Sequence, residues 1–167
     1  LELELNADGT LTLLMSDLIM SVDEACDYTV TSGGDGAGAC DFENPNDGTF
    51  ENGYNCSSAS AFQTANDLDV VGGDFTLNQI TASIFANGGI ASVDVVYYDN
   101  NAGLPGTEIG SELGLTPSSQ AVIGSNFGFD VNEIVLDLTP VVFTEGKYWV
   151  ELSVTDGGAT GSVFWVI

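Results

Sequence analysis

Carboxylates dominate the chemistry available to this chain: 25 side chains are Asp or Glu, against one basic residue, Lys147, and no histidine. Two carboxylates can hydrolyse a glycosidic bond when one protonates the leaving oxygen and the other acts as nucleophile or base. Glu133 and Glu151, both in stretches of strand character, are the type of residue required. In so acidic a chain, however, such a pair arises from composition alone and does not point to catalysis. The missing imidazole removes the commonest general base, the Ser-His-Asp and Cys-His arrangements, and the commonest transition-metal ligand. The expectation is a protein that is not an enzyme.

A cation site is the sharpest cofactor hypothesis. Asp35, Asp41, Glu43, Asp47 and Glu51 crowd a Gly-rich stretch, and Ca²⁺ takes six to eight oxygens from such flexible carboxylates and carbonyls. Asp35, Asp41, Glu43 and Asp47 are the candidate calcium ligands. Gly33-Gly34-Asp35-Gly36 begins like a calcium-binding nonapeptide repeat, but Gly38 stands where the next Asp belongs and no tandem copy follows. The alternative is a solvated acidic loop.

The aromatic residues carry the other binding hypothesis. Trp149 and Trp165, with Tyr97, Tyr98 and Tyr148, are able to build a flat platform that stacks on sugar rings, with acid or amide groups beside it for sugar hydroxyls. Trp149 falls out of phase with the apolar set of its own strand and is expected to face outward. Trp149, Tyr97 and Tyr98 are therefore the candidate ligand contacts, against the alternative of core packing. Asn55-Cys56-Ser57 fits a glycosylation sequon, a pattern expected by chance in an Asn-rich chain.

The three cysteines, Cys26, Cys40 and Cys56, match no zinc spacing. One disulfide is expected in an extracellular setting, and the sequence does not choose among the three pairs.

The net charge of −24 bounds partners and compartment. Self-repulsion in the compact state is relieved where salt screens it, with a Debye length of about 8 Å at physiological ionic strength, so a salty or calcium-bearing extracellular medium fits. A surface that tracks phosphates needs Lys and Arg, so nucleic acid and anionic membranes are not expected partners. The longest apolar candidate, Leu11 to Met20, is interrupted by Thr12, Ser16 and Asp17 and falls short of the roughly 20 residues of a membrane helix. Beginning at Leu1 and stopping at Phe164-Trp165-Val166-Ile167, the chain reads as a mature segment of a longer polypeptide.

The elements that would position these residues are strands. Leu1–Leu5 and Thr10–Leu13 alternate around Asn6-Ala7-Asp8-Gly9 and predict a hairpin. Leu18–Val22 and Tyr28–Thr31 are short strand candidates, and residues 32–60 predict a long loop or linker. Phe75–Ala86, with Ile80, Ala82 and Ile84 on one face, and Ile90–Tyr98, with Val93, Val95 and Tyr97 on one face, predict a hairpin closed by Asn87-Gly88-Gly89. Val131–Leu138, Tyr148–Val154 and Ser162–Val166 complete the set, with turns at Asp99–Gly106, Thr116-Pro117, Gly124–Asn126 and Asp156–Gly158. No segment has a helical apolar period. The expected fold is all-β, an antiparallel two-sheet sandwich of jelly-roll or immunoglobulin-like type. N-terminal strands occupy 1–31, an acidic loop or linker 32–60, and the sandwich 61–167.

Phe50-Glu51-Asn52-Gly53-Tyr54, Ala65–Val70, Phe75–Thr81, Val95–Asp99 with Gly103-Leu104-Pro105-Gly106-Thr107, and Tyr148-Trp149 with a closing Phe164-Trp165 together resemble modules of large secreted proteins of the type IX secretion pathway. The resemblance covers about residues 50–166. It implies a β-sandwich module of a multidomain exported or surface-attached protein, serving adhesion, display or spacing, and transfers no catalytic residue. The leading expectation is a non-enzymatic extracellular structural or adhesion module, with other domains or copies of a surface protein as partners. The alternatives are a calcium-dependent carbohydrate-binding module that takes polysaccharide, and a subunit of a surface filament whose Leu1–Leu5 strand adds to a neighbour's sheet edge.

Overall fold

The computed structural model describes Phe42, residues 48–158 and residues 162–166. The hairpin and strands expected before residue 32 lie outside the described residues. Nine strands and no helix make up the described part: β1 (Gly53–Asn55), β2 (Ala65–Val70), β3 (Phe75–Phe85), β4 (Ile90–Asn101), β5 (Leu104–Leu115), β6 (Ser119–Asn126), β7 (Phe129–Phe143), β8 (Gly146–Asp156) and β9 (Phe164–Val166). They form two antiparallel sheets, one of five strands in the order β1-β9-β3-β7-β6 and one of four in the order β2-β8-β4-β5. The protein is an all-β sandwich.

Alternation builds the core. Ala82 and Ile84 of β3 and Ile134, Leu136 and Leu138 of β7 face Val93, Val95 and Tyr97 of β4 and Leu152 and Val154 of β8 in one buried cluster. Successive strand side chains point to opposite faces, so Glu133 and Asp137 lie on the outer side of the five-stranded sheet. Phe85, one residue past Ile84, turns outward too. With Val131 and Val166, and under Phe50, Phe129 and Phe164, it forms a second, smaller cluster on that outer face.

Two expectations are corrected here. Phe75–Ala86 and Ile90–Tyr98 are not a hairpin: β3 belongs to the five-stranded sheet and β4 to the four-stranded one, so Asn87-Gly88-Gly89 carries the chain across the core. Each strand has a continuous apolar face, and facing one another buries both faces where edge pairing would bury neither against the other. Gly88 is required by close approach, because a Cβ there would overlap the Gly158 backbone. Gly157 N–H donates to the Gly89 carbonyl at 3.0 Å, tying this arch to the β8–β9 connection.

Nor is the stretch to Ser60 wholly structureless. β1 pairs with β9, Tyr54 opposite Trp165, and Cys56 and Ser57 are buried. Cys56 N–H donates to the Val163 carbonyl and its carbonyl accepts Val154 N–H at 2.7 Å, stitching the two sheets along one side. Phe50 sits over Gly124, where a Cβ would come within 2.6 Å of its ring, so among the described residues the sandwich takes in Phe50 and the segment after it, ahead of residue 61. β5 and β6 also carry no clear alternation in sequence: they are edge strands whose side chains are mostly exposed.

The other side of the sandwich is held by side chains. Gln120 of β6 accepts Ile90 N–H at 2.9 Å and donates to the Ile90 carbonyl at 3.3 Å, acting as a one-residue strand between the sheets. Glu112 of β5 accepts Thr139 N–H of β7 through both carboxylate oxygens, each at 3.1 Å.

Candidate functional site

The outer face of the four-stranded sheet brings aromatic side chains together with polar ones. Tyr98 of β4 pairs in register with Trp149 of β8, and Trp149 pairs with Asp67 of β2, so one row crosses three strands. Trp149 thus faces outward, as its phase predicts.

The indole is held from two directions. Its Nε1–H donates to Asn100 Oδ1 at 3.2 Å, and Asn100 Oδ1 also accepts Gly103 N–H at 3.1 Å in the β4–β5 turn. That turn has two central residues, Ala102 and Gly103, both at positive φ, the geometry of a type I′ hairpin. Lys147 Nζ lies 5.8 Å from the indole ring centre, within cation–π range. Lys147 is itself fixed by Asp67 at 2.6 Å and Asp69 at 3.0 Å. The hydrogen bond from Lys147 holds the Asp67 carboxyl below its ordinary range, and the bond to Asp67, with that to Asp69, raises the lysine.

Glu151, two residues along β8, is the unexpected member. It is only 7% exposed although it points away from the core. Its Oε2 accepts the Tyr98 hydroxyl at 2.6 Å and Gln63 Nε2 at 3.3 Å. Burial, followed by this hydrogen bond and the charge of Glu151, raises the Tyr98 phenol well above its usual range. Tyr98, Trp149, Glu151, Gln63 and Ala65, with Leu104-Pro105-Gly106 of the neighbouring strand, line a half-open depression of about 370 Å³. That is the low end of small-molecule sites, room for about one sugar ring.

Tyr97 does not belong to this face. It is 1% exposed and packs edge-to-face on Phe143 with ring centres 5.6 Å apart. Burial and the nearby Glu112 carboxylate push its hydroxyl up to about 12. Tyr97 is a core residue and is corrected as a ligand contact, because it shares the inward phase of Val93 and Val95. Trp165 and Tyr148 likewise pack against the main core. Glu133 and Glu151 lie on opposite outer faces, separated by the thickness of the sandwich, and cannot act as a catalytic pair.

The candidate calcium ligands Asp35, Asp41, Glu43 and Asp47 lie outside the described residues. Among the described residues no group of three or more Cys, Asp or Glu side chains is placed to share a metal ion. Cys56 is a free thiol; Cys26 and Cys40 lie outside the described residues. Burial pushes the Cys56 thiol up to about 12, so it is a packing residue and not a nucleophile. In the sequon, Asn55 Oδ1 accepts Ser57 N–H at 2.9 Å, an Asx turn that delivers the chain into the buried Cys56 segment.

Gln63, Asn100 and the Leu104–Gly106 segment were not legible as site residues. Gln63 precedes β2 in a loop, and Asn100 reads as turn composition. Glu151, two positions from Trp149 on the same face, was the one available signal. The chain was compared with protein-family models, with curated proteins and with solved structures, and it matches none of them.

Proposed function

We propose that this chain is a non-catalytic adhesive module of an extracellular or surface-attached polypeptide, and that it binds polysaccharide on the outer face of its four-stranded sheet. The observation that carries this reading is the Tyr98–Trp149 pair, fixed by Asn100 and Lys147 and bordered by the depression over Glu151. A sugar ring stacks on an aromatic plane while its hydroxyls need hydrogen-bonding groups at the edge, and Glu151 and Gln63 supply them. The charge of −24 and the resemblance to type IX modules support the compartment. A glycan array with the protein and with Trp149→Ala tests it: the expected result is retention of neutral or basic glycans that the variant loses. Hydrolysis of a retained glycan by the isolated chain would overturn the non-catalytic part.

Calcium dependence rests on the acidic loop and is tested by repeating the array in EDTA. Assembly by strand addition has its own support, since edge strand β6 exposes Val122 and Ile123. Deleting residues 1–15 is then expected to abolish assembly seen by light scattering while leaving thermal unfolding unchanged.

A further inference from the structure

Resting on the polysaccharide reading, we infer that the depression over Glu151 selects a sugar bearing a free amine, with the Glu151 carboxylate taking the ammonium. Both hydrogen bonds to Glu151 end on Oε2, which leaves Oε1 free of the protein among the described residues and open to solvent where the side chain lines the depression. A charge-assisted bond to an ammonium is the strongest hydrogen bond open to that oxygen. Trp149 and Tyr98 border the same space, and aromatic faces attract ammonium groups. The remaining charges nearby do not oppose a cation: Lys147 is matched by Asp67 and Asp69, and Glu108 adjoins Tyr98 in register on β5. Acidic sugars are disfavoured by the same field.

The test is calorimetric titration with three tetrasaccharides of equal length: free-amine glucosamine, its N-acetylated form, and a neutral β-glucan. The wild type is expected to bind the free-amine form at least tenfold more tightly than the other two. Glu151→Gln is expected to erase that preference, bringing the free-amine form down to the level of the other two sugars, whereas Glu133→Gln, an equal change of net charge on the opposite sheet, is expected to keep it. Circular dichroism melts of both variants establish that they fold; Glu151→Asp provides a second variant should Glu151→Gln fail to do so, with a reduced preference expected. Equal binding of all three sugars, lost in Trp149→Ala, would overturn the amine selection while leaving the polysaccharide site standing. A preference that persists unchanged in Glu151→Gln would assign it to the overall charge of the molecule and overturn the inference. Binding of none of the three would overturn the polysaccharide reading, and this inference with it.

Discussion

Residue 88 shows how much one position carries in this fold. Gly88 lies against the Gly158 backbone, so Gly88→Ala is expected to destabilise by about 1–3 kcal/mol, the range for overpacking a site whose neighbours are main chain, measured by urea unfolding. Nothing in the sequence distinguished a glycine needed for close approach from one needed for a turn, since both stand in the same Asn-Gly-Gly signal. Tyr97 was legible in one respect and not in the other. Its alternation with Val93 and Val95 put it on the apolar face, and only its aromatic ring, counted into a stacking platform, suggested a ligand contact. Cys56 and Tyr97 also set an alkaline limit. Burial raises the thiol from 9.0 to about 12 and, with Glu112, the phenol from 10.0 to about 12. Each group holds its proton more tightly folded than unfolded, so the stability it contributes is complete below its ordinary value and is lost as pH rises toward about 12. Urea midpoints are expected to fall steadily from pH 9 to 11, and the Cys56 thiol is expected to resist a disulfide reagent until the protein unfolds. A flat profile would mean that neither group is desolvated as described.

At the scale of elements, period-two alternation identified the long strands that line the core and missed the edge strands, including β2, whose Leu68 and Val70 are buried. β3, β4, β7 and β8 each bury a regular set of apolar residues. β5 and β6 lie at sheet edges with mostly exposed side chains, so polar and apolar residues are mixed along them and the signal vanishes. Alternation is equally silent on whether two strands pair at their edges or face each other across a core, which is why the β3–β4 connection was misread. Edge strands without core side chains need other attachments, and β6 has Gln120. Its carboxamide bonds both the N–H and the carbonyl of Ile90, and Ile90 is buried. Gln120→Ala is expected to cost about 1–3 kcal/mol by leaving a buried amide unpaired. Hydrogen exchange locates the loss: the Ile90 amide is expected to exchange much faster, while Leu136 amide protection falls only by the change in global stability. Uniform loss of protection across the sandwich, with no excess at Ile90, would mean that Gln120 acts as an ordinary surface residue.

The molecule as a whole carries a net charge of −24 with Lys147 as its one basic side chain, and that lysine is already committed to Asp67 and Asp69. Added salt therefore has few attractive pairs to weaken and many repulsive ones to relieve. Screening shortens the Debye length from about 30 Å at 0.01 M to about 8 Å at 0.15 M, which spans the range from interactions across a whole domain to interactions between neighbours. The thermal midpoint is expected to climb with NaCl over this interval and to flatten near 1 M, where even adjacent carboxylates are screened. A midpoint that falls with salt would show that the Lys147 pairs outweigh the repulsion. Calcium separates from this background when ionic strength is held constant. If Asp35, Asp41, Glu43 and Asp47 form a site, millimolar Ca²⁺ raises the midpoint beyond the matched NaCl control, by linkage worth about 2.7 kcal/mol at a hundred times the dissociation constant. Mg²⁺, which holds its water more tightly and demands a near-octahedral shell, is expected to do less. Identical curves for Ca²⁺, Mg²⁺ and matched NaCl would reduce the acidic loop to solvated chain and leave the Tyr98–Trp149–Glu151 face as the one proposed binding surface still standing.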